Sequence, residues 1–191
     1  MEIIPLVYNK KRKLRTKPDN KPIETTKLLE NLNPEIPLYI KDLDGLNSNK
    51  PGLCHYQKIS PQHAIWSDAG PRDQGDIMDL LFAGASKITI RTNFFPEKNI
   101  PQIKELTENQ VYTTITSQKI KNNQIPSNIP PGLEGYVFIY EEQKEIDYKT
   151  KESLKSLCSK YKVYVLDEKN IKYNLWKELG ATGQIREINI N

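Results

Sequence analysis

Cysteine and histidine are scarce in this chain, two of each in 191 residues. Cys54 and Cys158 are far apart and have no metal-ligating neighbours at ligand spacing. A disulfide framework is therefore excluded, and two free thiols fit a reducing, cytoplasmic setting. The Cys54-His55 pair is too isolated to make a zinc site or a Cys–His nucleophile. His55 and His63 flank a predicted helix and lack a third partner at ligand spacing. Neither a metal nor a cofactor is expected.

Long apolar runs are also missing. None approaches the roughly 20 residues that cross a bilayer, and the first residues lack the basic, apolar and small order of a signal peptide. Neither sign of charge dominates: 28 Lys and Arg stand against 24 Asp and Glu, for a net charge of +4. Both signs are spread along the chain, which predicts a solvated, slightly basic surface with neither nucleic acid nor membrane as partner. An apolar fraction of 37% is low but sufficient for a core. The length predicts one domain over residues 1–191.

What is present is alternation. The most ordered stretch runs from Trp66 to Thr92. Ala64, Ile65 and Trp66 form a short apolar run, and Gly70-Pro71 forces a turn. Asp73 is placed to cap a helix, and Ile77, Met78, Leu80, Leu81 and Phe82 give it an apolar face. Gly84 ends that helix, and Ile88 and Ile90 then alternate with Thr89 and Arg91. Strand, turn, helix and strand make a βαβ unit with parallel strands.

The same reading places eight strands, near residues 3, 38, 65, 89, 113, 138, 164 and 187. Helices are predicted over Pro22 to Leu32, Leu53 to Ile59, Gln74 to Ala85, Pro101 to Asn109, Asp147 to Tyr161 and Ile171 to Leu179. Gly45 to Pro51 and Ser117 to Gly135 read as loops. Such alternation predicts a parallel sheet with covered faces. Eight units predict a reduced (β/α)8 barrel, shorter than the usual ~250 residues and missing some crossover helices. An open doubly wound sheet is the alternative. The bare strand faces of a reduced barrel call for a second subunit or a long loop as cover.

Several carboxylates and cations fall at predicted strand ends. Asp42 and Asp44 lie two apart on a predicted strand, hence on one face, with Lys41 on the other. Asp68 ends the next strand, and Arg91 and Thr92 end the one after. Arg72 suits bidentate contact with a phosphate or carboxylate, or pairing with Asp73 or Asp76. The basic run from Lys10 to Lys21 reads as a solvated loop. It would attract a phosphorylated ligand if it lay at the mouth of a site.

These pieces carry a family resemblance. Met1-Glu-Ile-Ile-Pro-Leu-Val7 resembles the first strand of the phosphoribosylformimino-aminoimidazole carboxamide ribotide isomerases of histidine biosynthesis. Tyr39-Ile-Lys-Asp-Leu-Asp-Gly45 resembles their second strand, Ser67-Asp-Ala-Gly-Pro-Arg72 their third-strand turn, and Lys87-Ile-Thr-Ile-Arg-Thr92 their fourth strand. The likeness covers roughly residues 1–115 and rests beyond that on strand–helix order. It implies phosphate contacts from Gly70, Arg72 and Thr92, and acid–base roles for Asp42, Asp44 and Asp68. The family's two catalytic aspartates, at the ends of strands one and five, are replaced by Tyr8-Asn9 and Thr116-Ser117. The glycines of its second phosphate site are replaced by Asp167-Glu168-Lys169-Asn170 and Ile188-Asn189-Ile190-Asn191. The resemblance thus implies a divergent isomerase- or lyase-type enzyme that acts on or binds a phosphorylated small metabolite at one phosphate site. The alternative is a non-catalytic ligand-binding or scaffold protein derived from that barrel.

Overall fold

A computed structural model describes residues 1–122, 124, 129–141 and 146–190. Eight parallel strands close into a barrel: β1 (Glu2–Asn9), β3 (Leu38–Asp42), β4 (Ile65–Asp68), β5 (Ala85–Ile90), β6 (Gln110–Thr116), β7 (Gly135–Ile139), β8 (Lys162–Leu166) and β9 (Gly183–Glu187). A two-residue strand, β2 (Leu14–Arg15), folds back antiparallel on the end of β1. Because β1 pairs in parallel with both β3 and β9, the barrel has no open edge. The open doubly wound sheet is excluded by that closure.

The helices are α1 (Thr25–Glu30), α2 (Leu43–Ser48), α3 (Leu53–Ile59), α4 (Gln74–Phe82), α5 (Ile103–Leu106), α6 (Ser117–Lys121), α7 (Tyr148–Lys160) and α8 (Tyr173–Glu178), with a 3-10 turn at Glu97–Gln102. Residues 43–48 are helical where a loop was expected. Their Asn, Ser and Gly content favours a turn by propensity, but Asp42 caps the segment by accepting the Gly45 N–H at 2.9 Å. The expected loop over 117–135 begins with α6, capped by the Thr116 hydroxyl. Part of that stretch lies outside the described residues. Asp73 and Asp147 cap α4 and α7 through the N–H groups of Asp76 and Thr150.

Strand alternation sorts the core into three bodies. Ile4, Leu6, Tyr8, Tyr39, Trp66, Tyr112, Val137, Tyr164, Leu166 and Ile185 fill the barrel interior. The outward residues of the first strands, such as Val7, Ile40, Ile88 and Ile90, pack under the first helices. Those of the later strands, such as Phe138, Val163 and Val165, pack with Leu154, Leu157 and Trp176. Trp66 plugs the interior, with ring centroids 5.4, 4.5 and 4.7 Å from Tyr39, Tyr112 and Tyr164. Its indole N–H donates to Thr89 Oγ1 at 2.9 Å. Tyr112 is in register with Gly135, and Tyr164 with Gly183. A Cβ at Gly183 would sit 2.8 Å from the Tyr164 ring, so glycine makes room for the aromatic plug. Polar side chains are thereby left to the two ends of the barrel.

Among the described residues no helix is long and apolar enough to cross a membrane. Both thiols are free, and burial pushes that of Cys158 up to about 11.

Candidate active site

Inward-facing positions beyond the plug carry ionisable groups at the carboxyl ends of the strands. That is the end where barrels of this class assemble their sites. Tyr8 is in register with Lys41, and Lys41 with Asp68. Glu187 ends β9, in register with Leu6. Glu168 lies two residues past the end of β8, with the inward parity of Tyr164 and Leu166.

The four groups meet. The Tyr8 hydroxyl lies 2.7 Å from Glu168 Oε2 and 2.9 Å from Glu187 Oε1. Lys41 Nζ donates to the other oxygen of Glu168 at 2.5 Å. One phenolic O–H can donate to one carboxylate only, so the second contact is satisfied when a carboxyl group itself carries a proton. The environment favours Glu187 for that role. Burial raises its carboxyl pKa, the charge of Glu168 adds to the rise, and the Tyr8 bond and Lys17 oppose it. Tyr8 itself moves upward, first through burial and then through the two glutamates. It remains a phenol and links the two carboxyls.

A raised carboxyl pKa has a consequence for stability. The contribution of Glu187 is complete below the ordinary value of about 4.3 and is lost as pH rises through the raised folded value. Glu187→Gln should therefore raise the Tm relative to the parent protein at pH 8 and leave it unchanged at pH 4. A thermal-melt series over that range checks this. An equal shift at both ends would deny the proton on Glu187.

Beside this group Arg91 holds fully buried Asp68 in a bidentate pair, at 2.9 and 2.6 Å. Burial disfavours the guanidinium charge, but the charge and bonds of Asp68 outweigh it and shift its pKa upward. A cavity of about 680 Å³ opens next to the mouth, over β1 and β9. Glu168 and Glu187 line it together with Lys17, Asn31, Asn33 and Arg186. Its size suits a small metabolite. The basic run after β1 does reach this mouth, since Lys17 Nζ is 4.0 Å from Glu187 Oε2.

The expected site residues separate into distinct places. Asp42 and Asp44 do not share a strand face, because β3 ends at Asp42 and Asp44 lies in α2. Asp42 is fully buried on the outer side of the barrel wall. It accepts from Gly45 N, Gly52 N, Asn9 Nδ2 and the Tyr56 hydroxyl at 2.9, 2.7, 2.8 and 3.3 Å. Burial raises its pKa, and those four bonds work against the rise. Asp44 accepts the N–H groups of Lys11 and Arg12, at 2.9 and 2.7 Å, and so fixes the turn between β1 and β2. Both turn residues have φ 54°, the left-handed region. Asp68 alone of the three faces the mouth, paired with Arg91.

Gly70, at φ 66°, leaves no room for a side chain: an added Cβ would lie 2.9 Å from Leu46 Cδ2. The Arg72 guanidinium donates to Gly45 O at 3.3 Å and Gly70 O at 3.2 Å, also reaches Asn49 Oδ1, and lies 5.0 Å from the Phe94 ring centroid. It ties the end of α2 to the turn after β4. Thr92 accepts from Lys119 Nζ at 2.5 Å, on the β5–β6 side. Gly70 and Arg72 thus meet in the turn after β4, and Thr92 is engaged by Lys119. Asp167, one of the two acids that replace the family's glycines, is fully buried and accepts from Ile171 N, Lys172 N, Trp176 Nε1 and Gln184 Nε2. It organises the start of α8 and leaves Glu168 as the carboxylate of the mouth. The signal that would have singled out Tyr8, Lys41, Glu168 and Glu187 is parity: each shares the inward phase of its strand.

No group of three or more His, Cys, Asp or Glu among the described residues could hold a metal ion. No family model matches the chain, and no curated protein matches it.

Proposed function

We propose that this chain is a divergent relative of the histidine-pathway isomerase barrels that binds a phosphorylated small metabolite beside the barrel mouth and moves a proton on it. The observation that carries this reading is that Glu168 and Glu187, which both contact the buried Tyr8 hydroxyl, line the 680 Å³ cavity. An aldose–ketose isomerisation needs one group that gives a proton and one that takes it. Glu187, with its raised pKa, is the donor. Glu168, paired with Lys41 at 2.5 Å, is the acceptor. Together they stand in for the two family aspartates missing at Asn9 and Ser117. Lys17 and Arg186 in the cavity wall supply positive charge for a phosphate. The free thiols support a cytoplasmic location.

The alternative reading is a non-catalytic ligand-binding protein. One observation favours it: Arg91 is already engaged by Asp68, and Lys41 by Glu168.

A thermal-shift screen of sugar phosphates and ribotides tests the proposal. A ligand at about 100 times its Kd adds about 2.7 kcal/mol to stability, and that gain should vanish in Lys17→Ala/Arg186→Ala. The hit is then incubated in D2O and followed by NMR. Deuterium entering a carbon next to the carbonyl supports proton transfer, whereas binding without exchange supports the alternative. A screen with no hit would count against both.

A further inference from the structure

A further cavity lies on the outer wall of the barrel, far round from β1 and β9. The link between β6 and β7 contributes the five-residue helix α6. Beside it, between the outward side chains of β6 and β7 and the segment after β5, lies a cavity of about 250 Å³. Ile100, Ile115 and Pro130 give it apolar walls. Lys119 stands on its wall, 2.5 Å from Thr92 Oγ1 and 3.5 Å from Glu97 Oε1.

Two lining residues stand out. Thr113 is 5% exposed and Tyr136 is 2% exposed. Among the described residues neither Thr113 Oγ1 nor the Tyr136 hydroxyl has a hydrogen-bond partner. Leaving a buried hydroxyl unsatisfied is destabilising, and two border one cavity. The cations nearby do not account for them: Lys119 is occupied with Thr92 and Glu97. Engineered apolar cavities of about 150 Å³ accept a benzene ring. This one is larger and sets two unpartnered hydroxyls beside the apolar side chains of Ile100, Ile115 and Pro130, with Thr92, Glu97, Thr114, Lys119 and Gln124 completing the described wall. That combination suits a flat, uncharged ring compound with heteroatoms on its edge. A phosphate is disfavoured, because Glu97 lines the same space and Lys119 is the one cation among the described residues of its wall.

We propose that the cavity between β6, β7 and the segment after β5 is a binding site for a small uncharged heteroaromatic compound, held by hydrogen bonds to Thr113 and Tyr136. It is separate from the mouth and does not depend on the proton-transfer reading. The sequence pattern alone did not point to it, since Thr113 sits in a β-branched run that reads as ordinary strand.

Benzimidazole is the probe, with indane as a ring of similar shape that lacks heteroatoms. Titrated into the full chain and followed by amide NMR shifts, benzimidazole should give saturable changes around Thr92, Thr113 and Tyr136, and indane should bind at least about tenfold more weakly. Thr113→Val and Tyr136→Phe should each weaken benzimidazole about tenfold, the scale of one lost hydrogen bond. Neither should lower the Tm, because each deletes a group without a partner. Thr113→Ser keeps the hydroxyl and should keep the affinity. Equal binding of indane, no saturable shift with benzimidazole, or a Tm loss in both hydroxyl-deleting variants would overturn the proposal.

Discussion

Asp42→Asn should unfold at a clearly lower temperature while leaving the barrel mouth intact. Asp42 Oδ1 accepts from Gly45 N and Asn9 Nδ2, and Oδ2 from Gly52 N and the Tyr56 hydroxyl. An amide keeps one acceptor and turns the other into a donor, so two donors at one oxygen position face an N–H group. Each buried donor without an acceptor costs about 1–3 kcal/mol. Removing the buried charge works the other way, as the raised pKa of Asp42 indicates. The one lost oxygen had accepted two bonds, and stranding both donors outweighs that gain, for a net loss of about 3 kcal/mol. In a domain of this size the loss lowers the Tm by roughly 6–12 °C. Urea unfolding should show a lower midpoint at unchanged slope. An unaltered Tm combined with lost turnover would return Asp42 to the catalytic role expected from its place in the Asp-Leu-Asp segment.

Glu168→Gln should have the largest effect on chemistry. On a substrate that shows deuterium exchange, loss of the proton acceptor should lower the rate about 10²- to 10⁴-fold. Glu187→Gln should cost a similar factor by removing the donor. Because both act through the one hydroxyl of Tyr8, the double variant should be little slower than the worse single one. The fold should survive, since the Glu168 side chain is 30% exposed and its pair with Lys41 meets solvent. Binding affinity for the phosphorylated ligand should change much less than the rate, which separates proton transfer from anchoring. Rates within about threefold of the parent protein in both variants, against the expected loss for a general acid or base, would end the catalytic reading.

Local signals carried much of the fold. The apolar runs Tyr136 to Tyr140 and Val163 to Leu166, which read as strands, lie in the strands Gly135–Ile139 and Lys162–Leu166, with Tyr140 just past the first. The α3 helix spans Leu53–Ile59 as its pattern indicated. Asp73 and Asp147 cap helices as a short acceptor before an apolar-faced run should. These features depend on neighbours within a few residues, and a sequence displays such neighbours directly. The helix at 43–48 does not, because its weak formers are held by the Asp42 cap and by the Arg72 guanidinium at its end, a contact from 26 to 27 positions away.

Closure decided the site. Tyr8 and Glu187 are 179 positions apart, and Tyr8 and Glu168 are 160 apart. They meet because β1 pairs with β9 and the inward phase of each strand is fixed by the Trp66 plug. A one-residue slip in register would send Lys41 or Glu187 to the outer face. The sequence by itself therefore determined where most strands and the longer helices lie and that strand residues alternate between two faces. Only the tertiary structure decided which charged groups face one another, because that depends on strand register and ring closure, which join residues from opposite ends of the chain.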